Sequence, residues 1–137
     1  MWFGLAILAA IFAALVAIFG KIGIKNIDST LATTIRSIIM AVFLILASLA
    51  TGRFSHLNSI NSHSMKFIIL SGISGAMSWL FYFSALKLGL ASRVATVDRL
   101  SVVFVIILAA LFLGETLTVK SIIGVSLLTI GAIVLVF

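Results

Sequence analysis

Polar residues in this chain fall into a few short clusters separated by long apolar runs. The runs lie at about 2–20, 29–51, 66–88, 91–113 and 119–137. Each supplies the roughly 20 mostly apolar residues that an α-helix needs to cross a hydrocarbon core about 30 Å thick. Short connections join them: Lys21 to Asp28, Gly52 to Met65, Gly89-Leu90 and Gly114 to Thr118. Only "GRFSHLNSINSHSM", 52–65, is a polar stretch, and it reads as a solvated turn carrying the loop histidines His56 and His63. Gly89 and Gly114 follow the last apolar residues of their runs, where helix-terminating glycines stand. The start, Met1-Trp2-Phe3-Gly4, lacks a basic region and no cleavage pattern follows, so the first run is expected to be a retained helix. The pattern predicts an all-α membrane protein: five transmembrane helices in a single domain spanning 1–137.

Composition agrees that the solvent is lipid. The chain is 64% hydrophobic and 9% charged, where soluble domains are about half apolar and a quarter charged. A chain this short could not hide so much apolar surface from water. Its net charge of +6 comes from basic residues dispersed singly, so nucleic acid is not an expected partner. Without cysteine there is no disulfide or thiolate metal site. An H-E-x-x-H helix, an intramembrane aspartate pair and a glycine-rich phosphate loop are all missing from the sequence. No catalytic residue, metal or cofactor is expected, and the chain is not read as an enzyme.

Loop charge bears on orientation. With the N-terminus on side A, the side-A connections carry Arg53, Lys66 and Lys120, and the side-B connections carry Lys21, Lys25, Lys87 and Arg93. Lysine and arginine asymmetry across short loops normally fixes orientation, and here the two sides nearly balance. An odd number of spans makes the two orientations inverted copies, so dual insertion is expected.

A few polar side chains lie inside the runs. Asp98 is some seven residues from side B, about 10 Å deep at 1.5 Å per residue. Arg36 and Tyr82 lie at nearly the same depth on two other predicted helices. Charges inside a bilayer cost several kcal/mol and face protein or a water-filled cavity. Asp98, Arg99, Arg36 and Tyr82 therefore form an expected polar layer, with Ser78 and Trp79 next to it. Asp98 and Arg99 project about 100° apart on a helix, so each needs a partner elsewhere, and Arg36 is the candidate for Asp98. Two readings stay open: an ion pair that fixes helix packing, or the lining of a solute path. In the last run, Gly124 and Gly131 share roughly one face and suit helix packing or dimerisation.

The stretch "ASRVATVDRLSVVFVIILAALFLGETLTVKSIIGVSLLTIGAIVL", 91–135, resembles the end of an EamA-type transporter domain of the drug/metabolite transporter superfamily. The resemblance continues through "LSGISGAMSWLFYFSALKLG" and "TLATTIRSIIMAVFL", and so covers essentially the whole chain. "GVSLLTIG" is also similar to the glycine-spaced dimerisation helix of the small multidrug resistance branch. The resemblance implies one five-helix repeat of a fold that typically contains two inverted repeats. It thereby implies an antiparallel homodimer in the cytoplasmic (inner) membrane. The function it implies is secondary transport of a small metabolite by alternating access. In that setting Arg36 and Arg99 would attract an anionic or zwitterionic group, and Trp79, Tyr82 and Phe83 would supply stacking walls. The alternatives are an exporter of organic cations with Asp98 as the cation site, and a non-transporting subunit of a heteromeric complex. The sequence departs from the family at Val102, where many members have proline, and at Ala13-Ala14, where many have Trp-Gly. Its first helix also lacks the carboxylate of the small multidrug resistance branch.

Overall fold

Among the described residues, five helices are long and apolar enough to cross a membrane: Trp2–Gly23, Ser29–Ala50, Ser62–Leu88, Ala91–Phe112 and Val119–Val136. The computed structural model describes residues 2–137, with Asn58 described in its backbone only. Among these residues the regular structure is entirely helical. We number the helices α1 (Trp2–Gly23), α2 (Ser29–Ala50), α3 (Ser62–Leu88), α4 (Ala91–Asp98), α5 (Ser101–Phe112) and α6 (Val119–Val136); a short 3-10 helix, Arg53–Ser59, lies between α2 and α3.

Helix ends follow local chemistry. Asp28 caps α2, its Oδ1 accepting the N–H groups of Thr30 (2.9 Å) and Leu31 (3.0 Å). These are donors that the first turn of a helix cannot satisfy internally. The α2 end turns through Gly52 at φ 65°, and α5 ends before Gly114 at φ 68°. Such positive φ values are strained for residues with a Cβ. Thr118 opens α6, its Oγ1 accepting the Ser121 N–H at 3.1 Å.

Two boundaries depart from the sequence reading. α3 starts at Ser62 and not near 66, because the Asn61 side chain accepts the Ser64 N–H at 2.7 Å and nucleates the helix four residues early. His63 is therefore on α3, edge-on to Phe67 one turn later with ring centroids 5.0 Å apart, and His56 is in the 3-10 helix. The second departure is larger. The predicted single helix over 91–113 is broken into α4 and α5 at Arg99-Leu100. The Arg99 N–H is shared between the carbonyls of Ala95 (3.3 Å) and Thr96 (3.2 Å). Leu100, Val102 and Val103 then donate to the third residue back, at 2.9, 3.1 and 3.0 Å. This is 3-10 bonding, a tighter winding that proteins use in short pieces, often at hinges. The chain has no proline, so the break arises without one.

The chain divides into two compact units: Phe19–Lys87, and the chain up to Ile18 together with Leu88–Phe137. In the Phe19–Lys87 unit the end of α1 meets α3 closely. A Cβ added at Gly20 would stand 3.2 Å from Cζ of Phe83. Phe83, Leu86 and Ile24 are buried there, as is Thr33 on α2. The Thr33 hydroxyl is satisfied by donating to the Ser29 carbonyl at 2.8 Å. Ser84 donates to the Leu80 carbonyl at 2.8 Å and lies 3.3 Å from the Ser29 hydroxyl, which links α2 to α3. In the other unit α4 and α5 each pack against α6.

Candidate functional site

Depth along the helices brings Arg36 and the α3 aromatics to one place. Arg36 is seven residues into α2, about 10 Å from the helix start, and Tyr82 is six residues, about 9 Å, from the end of α3. Trp79, Tyr82 and Phe83 recur at helical spacing, so their rings share one stripe of α3. The three rings contact one another edge-on or tilted, with centroids 5.5 Å apart for Trp79–Tyr82, 5.9 Å for Trp79–Phe83 and 6.2 Å for Tyr82–Phe83. These separations and angles suit the ring quadrupoles, whose edges are positive and faces negative.

The guanidinium of Arg36 covers this stripe. Its Cζ stands 3.7 Å from the centre of the Trp79 ring and 5.4 Å from that of Phe83. A cation over an indole face is attracted by about 0.5–2 kcal/mol, most where water is excluded. The ring face supplies charge stabilisation and no hydrogen-bond acceptor, and Nη1 of Arg36 is buried without a hydrogen-bond partner. A buried unsatisfied donor costs about 1–3 kcal/mol. The site is thus a cation held over aromatic rings with an N–H left to give, an arrangement suited to a carboxylate, a phosphate or another anionic acceptor.

The other residues expected in the layer are described each in its own unit. Ser78, one turn before Tyr82 on α3, is exposed. Of the serines on this helix, Ser74 is satisfied internally, donating to the Leu70 carbonyl at 2.8 Å. Asp98 and Arg99 belong to the other unit, exposed, at the end of α4 and at the break itself. Gly124 and Gly131 are both exposed on α6, and a Cβ on either would meet nothing within 4 Å. The sequence reading singled out Arg36, as the candidate partner of Asp98, and the three aromatics, as stacking walls, without joining the two. The signal for a ring partner was the i, i+3, i+4 spacing of Trp79, Tyr82 and Phe83 at matching depth.

Comparison with known proteins agrees with a membrane carrier architecture. A relative from Sinorhizobium sp., described as an uncharacterized transporter in the cobO 3′ region, is 42% identical over 134 residues, which is 98% of this chain and 95% of the relative. No solved structure matches the chain. The model of the EamA-like transporter family matches residues 1–137, and with five span-length helices and this degree of identity the chain belongs to the EamA-like transporter family.

Proposed function

We propose that the protein is a secondary transporter that moves a small metabolite with an anionic or zwitterionic group across the inner membrane by alternating access. The observation that carries this reading is the Arg36 guanidinium, 3.7 Å over the Trp79 ring with its buried Nη1 unpaired. The substrate's carboxylate or phosphate accepts from Nη1, while its apolar or planar part lies against Trp79, Tyr82 and Phe83. Family membership and the transporter relative support the transport class.

A single five-helix unit is half of an inverted-repeat carrier. The near balance of basic residues between the two sides supports insertion in both orientations. An antiparallel homodimer then offers two Arg36 sites, one nearer each surface, and exposing them in turn gives alternating access. The open faces of Gly124 and Gly131 on α6 support close approach of a second copy. Asp98 and Arg99, at the α4/α5 break, sit where a change of helix bend would move them.

The test is uptake into proteoliposomes, with candidate anionic and cationic solutes offered as mixtures. Arg36→Gln removes the donor and should weaken substrate affinity about 10- to 150-fold, the equivalent of losing a hydrogen bond to a charged group. Arg36→Lys should recover only part of this, because an ammonium cannot lie flat and donate sideways at once. Full flux in Arg36→Gln together with loss in Asp98→Asn would favour organic-cation export. Reporters at Phe137 and in the 52–65 connection test the dimer: a single orientation in every copy refutes the inverted arrangement.

A further inference from the structure

The Phe19–Lys87 unit contains a second polar feature, one to two turns nearer the helix ends than the Arg36 guanidinium. Where α1 ends, where α2 begins and where α3 ends, a half-open cavity of about 430 Å³ is lined by Lys21, Ile22, Ile24, Lys25 and Lys87. Lysines at membrane-helix ends ordinarily extend away toward water on flexible stems. Two of these are instead held against backbone. Lys21 donates to the Leu86 carbonyl and, at 3.5 Å, to the Lys87 carbonyl. Lys87 donates in turn to the Ile27 carbonyl at 2.9 Å.

Those carbonyls include the last ones of α3, which carry the negative end of the helix dipole and have no partner in their own helix. Lys21 is held at these α3 carbonyls and Lys87 at that of Ile27, which fixes both ammonium positions. An ammonium has three donors, so Lys87 retains two beyond its bond to Ile27. The nearby carboxylate is Asp28, which feels the Lys87 charge but spends its Oδ1 on the α2 cap. Three lysines thus line one cavity beside an anion that is already engaged. The apolar lining divides in two: Ile24 is 2% exposed and forms a floor, while Ile22 is 69% exposed at the rim.

We propose that this cavity binds the phosphodiester headgroup of an anionic phospholipid, with Lys25 and Lys87 on the phosphate and Ile22 against the glycerol and upper acyl chain. The position at the ends of membrane-crossing helices favours a lipid over a free anion, because the exposed isoleucine at the rim meets hydrocarbon and not water. Basic pockets between membrane helices take such headgroups, each lysine strengthening attraction about five-fold. Because Lys21 and Lys87 tie the α1–α2 connection to the α3 end, the headgroup would stabilise the same joint that holds Phe83 against Gly20.

Native mass spectrometry of the full chain released from detergent, with phosphatidylglycerol or phosphatidylcholine added, reads this directly. The wild type should retain phosphatidylglycerol preferentially. Lys25→Gln, which touches neither backbone tie and so leaves folding intact, should weaken retention about five-fold. Lys87→Gln should do so at least as much, and Lys120→Gln, an equal loss of charge outside the cavity, should leave retention unchanged. Thermal melting with the same lipids and with inorganic phosphate supplies the second arm. Stabilisation by phosphatidylglycerol alone supports the proposal. Equal retention of both lipids, wild-type retention in Lys25→Gln and Lys87→Gln, or stabilisation by inorganic phosphate matching that by phosphatidylglycerol would each overturn it.

Discussion

Arg36 and Arg99 are both arginines within span-length helices, and the protein handles them in opposite ways. Around Arg36, α2 runs unbroken from Ser29 to Ala50 and the charge is covered by a ring from the neighbouring helix, Trp79 at 3.7 Å. Among the described residues no ring covers Arg99; its side chain is exposed and the helix itself opens, with 3-10 bonds replacing the regular ladder from Leu100 to Val103. One charge is covered by a ring, and the other is left exposed beside an opened stretch of backbone. A covered cation on a continuous helix keeps its geometry and suits binding. An exposed charge pair at a helix break suits a joint that bends. The two arginines belong to separate units of the fold.

Proline substitution breaks this comparison most strongly. A proline removes its own N–H and drives its ring against the carbonyl four residues back, at a cost of about 3 kcal/mol or more inside a regular helix. At Val102 that carbonyl belongs to Asp98, beyond the break, and the N–H lost is the single 3.1 Å bond to Arg99. Val102→Pro should therefore lower stability by no more than about 1 kcal/mol, the worth of one hydrogen bond. Ile106→Pro, in the regular part of α5, should cost the full amount. Unfolding midpoints in mixed micelles measure both. Equal large losses would mean that 91–112 behaves as one continuous helix.

Much of this was legible in the sequence because lipid allows few solutions. With no water in the bilayer core the backbone must bond to itself, so apolar runs of about 20 residues mark helices. The constant rise per residue then placed Arg36 and Tyr82 at one depth before any packing was known. Misses came where the deciding interaction is local or lies between helices. The Asn61 cap was hidden in a polar stretch read wholly as a turn, although asparagine three residues before Ser64 is a helix-start signal. The break at Arg99-Leu100 carries neither of the usual markers, glycine or proline, and the Thr96 hydroxyl bond to the Ser92 carbonyl (2.8 Å) has counterparts in the unbroken α2. The Lys21, Lys25 and Lys87 cluster needed tertiary structure, since matching side-B positions gave their level in the membrane and not their convergence.

A smaller effect is expected at Trp79, which sharpens the binding half of the comparison. Removing the indole in Trp79→Ala leaves Arg36 its charge and its free donor but takes away the face that orients it. The cation–π contact of about 1 kcal/mol corresponds to a roughly five-fold rise in KM for a confirmed substrate. Trp79→Phe should fall between, since a benzene ring attracts cations less than an indole. The maximal rate should change little in either variant if Trp79 belongs to binding and not to bending. A drop in maximal rate at unchanged KM would move Trp79 from the stationary site to the moving part.

The smallest effect is expected at Asp28, in the connection outside the spanning helices, and it is read by its pH dependence. The Asp28 carboxyl is held below the ordinary aspartate range chiefly because it accepts the Leu31 N–H, with the Thr30 N–H and the Lys87 charge adding to the effect. A folded-state pKa below the unfolded value gives stability that is present above the unfolded value and is lost as pH falls through the folded one. At neutral pH the wild type should melt higher than Asp28→Asn, which keeps an acceptor for the cap but no charge, and higher again than Asp28→Ala, which keeps neither. On acidification through and below the ordinary carboxylate range, the advantage over Asp28→Asn should shrink while the gap between Asn and Ala persists. A wild-type advantage independent of pH would assign the cap to hydrogen-bond geometry alone, and the neighbouring Lys87 would then be free of any electrostatic claim on the α2 start.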